Sequence, residues 1–382
     1  MRTVAIRSLG LLGAALAELR AIVGDPFAAT FLLVGTLVYA FLIPLPFVRQ
    51  LPREIPIVVV DRDATSTSRQ LARMIDAAEQ VRVNRVVASD AEAQRLLTDE
   101  SARGMVVVAE GFERGVQRGE RSVIGVFADA RWFLLYNQVA TGVSQATATL
   151  SAGIELRRLQ AAGHTGAAAR RARDPIPLQA RVLYNPVSGY GHANLPAVLI
   201  LVLQQTLLIG IGVSVAARRR AGVALPSTVA PLIGRVHAYV ALYLGHVAVV
   251  WFVVYRVYDM PTAGSRALGM LFLVPFLVAT AALGLALARL FRERTAAVEA
   301  LLFTSLPVLF LSGASFPAEA MPRWLRALAQ LLPSTHAIPG AVRVVECGAS
   351  LAEVRGEWLA LWGLAVGYLA VARVVSPSTA AE

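Results

Sequence analysis

The sequence has 382 residues, of which 56% are hydrophobic and 16% are charged, whereas soluble proteins average about 25% charged. The formal net charge is +11 and every basic residue is an arginine, which excludes a Walker A loop because that loop needs a lysine for the phosphates. The single cysteine, Cys347, excludes an intrachain disulfide.

Six stretches are apolar enough for transmembrane helices, which need about 20 residues to cross the hydrocarbon core. Four carry no charge, the fifth carries one acid, Glu299, and the sixth is short and has to recruit flanking residues. In lipid every backbone N–H and C=O must be paired within its own segment, so these stretches should be helices. In chain order they are residues 27–48, 193–217, 236–255, 267–288, 295–316 and 358–372.

The arginines indicate orientation rather than nucleic-acid binding. A pI near 10.7 would suit a nucleic-acid-binding protein, but much of the arginine flanks the apolar stretches. Arginines at the helix ends on the side of the N-terminus outnumber those on the other side, with the cluster at 218–220 as the clearest marker. The positive-inside rule therefore predicts a multi-pass protein of the inner (plasma) membrane with both termini cytoplasmic and no nucleic-acid partner.

The N-terminal residues 1–26 are predicted to form a cytoplasmic interfacial helix. Residues 4–23 are apolar with a few charges and would lie along the inner surface before a turn at Asp25 and Pro26. An ordinary solvated amphipathic helix is the alternative. The stretch at 27–48 has no cleavage site for a signal peptide after it and is interpreted as a retained anchor.

A charged, alternating segment at 49–190 separates the first two spans and is predicted to be extracytoplasmic. Strand-like and helical patterns alternate along it, which predicts a compact α/β domain. A long helix should follow towards residue 160, and the glycine-, alanine- and arginine-rich stretch 161–173 should be flexible. The predicted strands are 55–61, 81–87, 104–109 and 122–128, and the helices between them start near 65, 89 and 111.

The predicted fold is thus an α-helical membrane protein of six transmembrane helices with an inserted extracytoplasmic α/β domain. Residues 191–374 form a five-helix transmembrane domain with a re-entrant segment near 317–340, and residues 375–382 are a cytoplasmic tail. No internal repeat marks a solenoid or a two-halved carrier.

No cofactor and no metal site are predicted. The five histidines are scattered and have no metal-ligand spacing, and there is no nucleophile elbow. Asp61, Asp63 and Asp129 follow predicted strands, where a carboxylate pair could hold a metal. Turn-forming and helix-capping roles explain these aspartates more simply.

Residues 311–348, with the sequence LSGASFPAEAMPRWLRALAQLLPSTHAIPGAVRVVECG, resemble ABC-2-type transporter permeases. The same family is matched by FRERTAAVEALLFTSLPVLFLSG from residue 291 and by YNP at 184–186. The subgroup with a large domain between its first two helices is matched by IPIVVVDRDATSTSRQL at 55–71 and by GVFADA at 125–130.

The resemblance implies a permease subunit of an ABC exporter, which has no ATP site of its own. A separate cytoplasmic ABC ATPase would bind the ATP, and a second permease copy or a paralogue would complete a dimer. In Gram-negative relatives a periplasmic adaptor often extends the path. Few fixed charges in the spans favour an amphipathic or drug-like substrate.

In the resembling family the loop between the second and third spans meets the ATPase. Here that loop runs from 218 to 235, and a short helix could begin in it with Ser227 as its N-cap. The predicted coupling residues are therefore Ser227, Val229, Leu232 and Arg235.

The segment 312–333 is predicted to shape an outer gate, as in the family. Pro317 and Pro322 each remove a helix donor, so this backbone must be buried in protein or line a wet cavity. Phe316 is the candidate plug, with Leu311 about one turn below it. A surface helix capping the bundle, with Phe316 merely packing, is the alternative.

Polar residues inside the spans have two interpretations each. Glu299 either forms an ion pair with a neighbouring Arg292 or Arg294 or contacts a cationic substrate. Gln204 and Gln205 either hydrogen-bond between helices or line the substrate path. His246 has no carboxylate partner at its depth, which favours structural hydrogen bonding over a proton relay.

Two other functions compete with export. A membrane-anchored sensor would use the α/β domain to bind a ligand, but it usually needs a larger cytoplasmic module than this sequence supplies. An ion-coupled carrier would need paired intramembrane charges and internal repeats.

Overall fold

The structure is a computed structural model that describes residues 10–176, 178, 180–222 and 229–374. The chain divides into two compact units, one made of Met1–Gln50 with Val182–Glu382 and the other of Leu51–Arg181. The first unit is helical, and the second is built around a β-sheet.

Six helices among the described residues are long and apolar enough to cross a membrane, which confirms the predicted fold class. Four of the six contain the whole of their predicted stretch. The first ends at Phe47, one residue before the predicted end, and the fifth ends at Leu311, well before residue 316. Numbered spans 1 to 6 in chain order, they are Pro26–Phe47, Tyr190–Arg220, Val229–Val257, Arg266–Leu290, Arg294–Leu311 and Arg355–Val374.

Span 5 is shorter than predicted and is interrupted. Its helical parts are Arg294–Phe303 and Ser305–Leu311. Pro307 explains the interruption, because its ring clashes with the carbonyl four residues earlier. After Leu311 the chain reaches Gly313, whose φ of +81° belongs to the left-handed region that ends helices.

Spans 1 and 3 each contain a π-helical turn, at Thr30–Gly35 and Val250–Val254 respectively. A π turn widens the helix and leaves backbone groups out of the regular ladder. Neither turn was predicted from the sequence, because hydropathy carries no signal for the local hydrogen-bond pattern.

The N-terminal segment forms helix α1, Leu11–Val23, which packs on span 3 rather than standing free in solvent. Its buried face consists of Ala14, Glu18 and Ile22, spaced one helical turn apart. The approach is close at Gly234 of span 3, where an added Cβ would lie 2.7 Å from the Cβ of Ala14.

The inserted unit begins with the alternation of strands and helices that was predicted from the sequence. Its strands are β1 (Ile55–Asp61), β2 (Val81–Val87), β3 (Gly104–Val108) and β4 (Ile124–Ala128). They form one sheet in the order β2-β1-β3-β4, in which β1 pairs in parallel with β2 and β3, and β4 pairs antiparallel with β3. The helices among them are α2 (Ser66–Asp76), α3 (Asp90–Thr98), α4 (Phe112–Arg118), α5 (Phe133–Ala161) and α6 (Gly166–Arg173).

The sheet is covered on both faces. Helices α2, α4 and α5 lie on one face, over a core that includes Ile57, Val59 and Val106. Helix α3 lies on the other face, over Val58 and Val60. Consecutive residues of β1 thus enter opposite cores, as the two-residue period of a strand requires.

The prediction that 161–173 is flexible was wrong, because α6 occupies residues 166–173. Thr165 caps this helix by accepting a hydrogen bond from the Ala168 N–H at 3.3 Å, and Ala169 is fully buried. The glycine, alanine and arginine content was interpreted as a flexible stretch, whereas the cap and the three consecutive alanines at 167–169 favour a helix.

The aspartates after β1 have the turn-forming roles that the sequence favoured. Asp61 accepts from the N–H of Asp63 and of Ala64, at 3.1 and 2.9 Å. The carboxylate of Asp63 accepts from the Thr65 hydroxyl at 2.6 Å. Thr65 in turn caps α2 in a reciprocal capping box with Ser68.

Two short helices follow span 5: α7 (Arg323–Ala329) and α8 (Pro333–Val345). With 13 residues, α8 is about 20 Å long, too short for a hydrocarbon core of about 30 Å. Its first turn lies against Gln204 in the middle of span 2, and the Gly264 N–H, just before span 4, donates to the carbonyl of Val345 at its other end. Helix α8 therefore runs from mid-bundle to the end of the bundle that holds the 258–265 loop.

Candidate functional site

Glu18 of α1 is the centre of an ion-paired cluster. The cluster lies at the end of the bundle that holds Arg218 and Arg235, which we call the arginine-rich end. The Glu18 side chain is 2% exposed. Arg218, from the end of span 2, donates to both carboxylate oxygens at 2.6 and 2.7 Å. Arg235, from the start of span 3, donates to the same oxygens at 2.9 and 3.3 Å, and the Tyr239 hydroxyl donates at 2.6 Å. One carboxylate thus joins α1 to two spans.

The electrostatics of the cluster favour the ionised carboxylate. Burial alone would raise the pKa of Glu18, but the charges of Arg235 and Arg218, together with hydrogen bonds from Arg218 and Tyr239, outweigh it and lower the pKa to about 2. The two arginines exceed the single carboxylate by one positive charge. Removing Glu18 would therefore leave two guanidinium groups without their counter-ion.

A second ion pair at the same end joins spans 1 and 5. Asp25 caps the first turn of span 1, accepting from the N–H of Phe27 at 3.1 Å. Its other oxygen accepts from Arg294 at 2.8 Å, and the Arg294 guanidinium lies 5.8 Å from the ring centre of Phe27. The end of span 2 is joined nearby to the loop between spans 4 and 5, where Arg219 donates to the carbonyl of Phe291 at 2.9 Å.

The four predicted coupling residues differ in exposure. Ser227 lies outside the described residues, and Val229 is 40% exposed. Leu232 and Arg235, by contrast, are 7% and 5% exposed. Both are covered in the protomer, because α1 packs on this face of span 3 and Glu18 binds the guanidinium of Arg235. Their role in coupling stays a prediction.

Sequence reasoning missed Glu18 and Asp25 as members of this site. Both are acids in the segment before the first span, and both bind partners 200 or more residues along the chain. The available signal was an acid on the apolar face of a helix, since an isolated buried charge is too costly to stand without a partner.

A polar cluster in the middle of the bundle joins spans 1, 2 and 3. The Thr36 hydroxyl donates to Thr206 Oγ1 at 2.9 Å, and the Tyr243 hydroxyl donates to the same oxygen at 3.1 Å. His246 packs on the Tyr243 ring at 4.9 Å between ring centres, and its Nε2 lies 3.3 Å from the carbonyl of Leu33. That carbonyl belongs to the π turn of span 1, so the hydrogen bonding of His246 is structural.

Gln204 and Gln205 both hydrogen-bond between helices. Gln204 is 1% exposed and accepts from the Ser334 N–H at 3.0 Å, which satisfies one of the free donors in the first turn of α8. Gln205 donates to the carbonyl of Leu301 at 3.4 Å. One half of each amide thus bonds between helices in the protomer. Gln204 Nε2 and Gln205 Oε1 are buried without a partner in the described part of the chain.

Of the two arginines predicted as ion-pair partners of Glu299, Arg294 binds Asp25 instead, and the described residues show no ion pair between Glu299 and Arg292. Glu299 is exposed on span 5, of which only 17% is buried in the protomer. Phe303, Leu306 and Phe310 continue the same face of the helix, at 82%, 63% and 55% exposure. This stripe is an apolar surface with one carboxylate at its arginine-rich end.

Leu311 and Phe316, the predicted gate residues, lie where span 5 ends and the chain turns towards α7. Leu311 is partly buried and Phe316 is 48% exposed. Ser312 between them is buried and donates to the carbonyl of Leu309 at 2.8 Å. In the protomer Phe316 thus occupies no closed cavity.

A buried carboxyl, Glu346, lies at the far end of α8. Its side chain accepts from the Tyr255 hydroxyl of span 3 at 3.2 Å. Burial raises the pKa of Glu346 to about 7, against a smaller opposing effect of the Tyr255 hydrogen bond. Among the residues described, no group of three or more His, Cys, Asp or Glu side chains could hold a metal ion.

Comparison with known proteins places these features in one family. The model of the ABC-2 family transporter protein matches residues 28–374, which include the inserted domain and, but for two residues of the first, all six spans. Two relatives, each described as a probable multidrug ABC transporter permease YbhR, come from Escherichia coli K12 and Escherichia coli O157:H7. Each is 27% identical over 195 residues, 50% of this chain and 52% of the relative, so the match spans about half the length of these relatives.

Proposed function

This chain belongs to the ABC-2 family of transporter proteins, and we propose that it is the permease subunit of an ABC exporter powered by a separate ATPase. The observation that carries the proposal is the extent of the family match, from residue 28 to residue 374 across every span. Because the sequence has no lysine for a Walker A loop, the ATP would be bound by the partner chain.

We place the ATPase contact at the arginine-rich end of the bundle. The positive-inside rule puts this end in the cytoplasm of a cell whose inner membrane holds the protein. The loop between spans 2 and 3 emerges here, between Arg218 and Arg235, the two residues that Glu18 binds. Val229, exposed at the end of this loop, is the best described candidate for the contact.

Glu18 would then couple that contact to the rest of the protein. A displacement of the loop by the ATPase would move the end of span 2 and the start of span 3. Because both bind the Glu18 carboxylate, α1 would move with them. The bonds from Asp25 to Arg294 and from Arg219 to Phe291 would extend the movement to spans 1, 4 and 5. Packed, hydrogen-bonded elements are the physical means by which such coupling travels.

The exposed stripe of span 5 would face a second permease copy and the substrate path. Glu299 lies near the end of span 5, where a lipid-facing carboxylate costs less than the roughly 2.5–3.5 kcal/mol of the bilayer centre, but protein or water is still its preferred neighbour. Phe303, Leu306 and Phe310 would supply an apolar wall for an amphipathic, drug-like substrate. A second copy or a paralogue would supply the opposite wall.

The outer end of the path would be shaped by α7 and α8 as a re-entrant segment. Helix α8 starts at mid-bundle against Gln204, and non-spanning backbone at that depth is tolerated where it is buried in protein. Phe316 and Leu311 would close the path at the point where this segment leaves span 5. The inserted α/β domain would lie outside the cytoplasm, where a periplasmic adaptor could extend the route.

The test is to co-express the chain with the ATPase that we expect a neighbouring gene to encode, and to reconstitute the purified complex in nanodiscs. We expect the two proteins to co-purify, and an amphipathic cation such as ethidium to raise ATP hydrolysis. Purification without any ATPase, together with no ATP-dependent export from inverted vesicles, would refute the proposal.

A further inference from the structure

The edge strand β4 of the inserted domain has an unpaired side. In the described residues β4 has a single neighbour, β3, which it meets in the register Val107↔Gly125 and Met105↔Phe127. The Asp129 N–H donates to the carbonyl of Arg103 next in that register. Odd-numbered residues of β4 therefore bond to β3, and the N–H and C=O groups of 124, 126 and 128 point to the open edge.

The opposite edge of the same sheet, β2, is protected in the ways that proteins use against strand addition. It carries Arg82 and Arg85, both exposed, within the strand. Its register with β1 skips Asn84, which makes a bulge. Charges and bulges prevent an edge from pairing with another strand.

Strand β4 has neither form of protection. Its five residues, IGVFA, contain no charge and no proline, and its pairing with β3 shows no register shift. Val123, Val126 and Phe127 are 77%, 40% and 55% exposed. An apolar, regular edge of this kind is a template for another strand.

The sequence around β4 is complementary to itself when read antiparallel. With Gly125 opposite its own copy, Ile124 faces Val126, Val123 faces Phe127, and Arg121 faces Asp129. The open-edge groups of 124 and 126 then form a hydrogen-bonded pair, as the ladder requires. Moving the centre by one residue to 126 would place Arg121 opposite position 131, in the turn after Asp129, so only the Gly125 register gives Arg121 an opposite charge. In the protomer Asp129 binds Arg131 at 2.7 Å.

Gly125 suits the centre of such a pair. It would occupy a non-hydrogen-bonded site, where facing Cα atoms approach to about 4.5 Å and side chains are closest. A glycine in a strand often marks a close approach of another backbone. Within the protomer the closest atom to an added Cβ at this position is on the far edge of the Phe127 ring, at 2.9 Å.

We propose that β4 pairs with β4 of a second copy of this chain, antiparallel about Gly125, so that two inserted domains share one eight-stranded sheet. The inference rests on the proposed assembly of two permease copies, and it assigns the inserted domain a role in holding them together. Arg121 would join Arg131 at the Asp129 carboxylate of the other copy and so fix the register across the two-fold axis.

The test is disulfide cross-linking in native membranes, with the full chain and its ATPase partner co-expressed. Cys347 is the only cysteine, so Cys347→Ala gives a background without thiols. Facing Cα atoms at a central pair lie within the range that a disulfide spans, so Gly125→Cys should give roughly tenfold more oxidised dimer than a control cysteine. The matched control is Val86→Cys, an exposed residue of the protected β2 edge.

Two further variants test the register. Val123→Cys alone should not cross-link, because the two copies of residue 123 would lie about 13 Å apart along the strands. Adding Phe127→Cys to it should restore the cross-link, since 123 faces 127. Arg121→Glu, which places like charges opposite each other, should reduce the Gly125→Cys dimer several-fold.

The outcomes separate this inference from the proposed function. Equal cross-linking of Gly125→Cys and Val86→Cys, in protein that still co-purifies with its ATPase, would overturn the β4 pair and leave the permease assignment intact. Protection of the Gly125→Cys thiol from maleimide without a dimer band would mean that another protein covers the edge, and would also overturn it. A dimer without any ATPase would contradict the proposed function alone.

Discussion

Glu18 accepts two hydrogen bonds from Arg218, at 2.6 and 2.7 Å, from a residue 200 positions away in the chain. The same carboxylate binds Arg235 and Tyr239, so three helices meet at one buried group. Breaking a buried pair from one side is costly because the remaining charge loses its partner in a medium of low dielectric constant.

Glu18→Gln should therefore destabilise the protein by about 3–5 kcal/mol, although it keeps the volume of the side chain. The measurement is the thermal unfolding midpoint of the purified protein in detergent. The control is Glu79→Gln, which removes an ion pair between two exposed side chains, Arg53 at 66% and Glu79 at 62% exposure. This variant should change the unfolding midpoint little. Equal shifts in both variants would show that the Glu18 cluster contributes no more than a surface pair.

The low pKa of Glu18 also sets its pH dependence. A carboxyl whose folded pKa is depressed contributes stability above its unfolded pKa and loses it as the pH falls through the folded value. With the folded pKa near 2, the contribution should be constant between about pH 5 and pH 8. A Glu18→Gln effect that varied over this range would contradict the ion-paired state.

Val229→Asp and Leu232→Asp should have different effects, although both residues were predicted from the sequence to be coupling residues. Val229 is 40% exposed, so an aspartate there should leave folding intact. It should reduce substrate-stimulated ATP hydrolysis severalfold, because the charge would weaken the proposed contact with the ATPase. Leu232 is 7% exposed beneath α1, so an aspartate there should lower membrane abundance. Abundance by immunoblot and ATPase activity in nanodiscs measure the two effects. Normal coupling in Val229→Asp would move the contact elsewhere.

Local patterns in the sequence were sufficient for the elements. Strands β1 and β2 have the predicted bounds, 55–61 and 81–87, because a continuous apolar run in β1 and interspersed valines in β2 lie between charged or polar residues. The six spans follow from length and hydropathy alone. Each of these signals is contained within a few tens of consecutive residues.

Pairing between distant segments could not be predicted in the same way. Arg294 is close to Glu299 in the sequence and was one of its two predicted partners, yet Asp25 binds it from the start of span 1. The choice depends on which helices are neighbours in the bundle, and a single sequence with six apolar spans does not specify that order. Helix α8 shows the same limit, since its burial against Gln204 depends on the packing of span 2.

Glu346 should make stability depend on pH near neutrality. Its folded pKa, about 7, is above the ordinary value of 4.5, so the folded state holds a proton that the unfolded state has lost between these values. Stability should therefore fall as the pH rises from 4.5 to about 7 and level off above it. Glu346→Gln should remove this slope and raise the unfolding midpoint at about pH 8, with an upper bound of about 3 kcal/mol. Parallel pH profiles for the two proteins would contradict a buried, protonated Glu346.

The gate prediction concerns Phe316, where span 5 ends. Because its side chain is 48% exposed in the protomer, Phe316→Ala leaves little cavity, and we expect a change in stability within about 0.5 kcal/mol. If the ring closes the path between two copies, its removal should raise ATP hydrolysis in the absence of substrate, so that added substrate stimulates less. Phe133→Ala, which removes an aromatic side chain that is 73% exposed on α5 of the inserted domain, is the matched control and should leave the stimulation unchanged. Basal and stimulated hydrolysis in nanodiscs, with abundance measured in parallel, provide the comparison. A Phe316→Ala protein with normal stimulation would mean that this ring only packs against its surroundings, and the constriction would then have to be sought at Leu311.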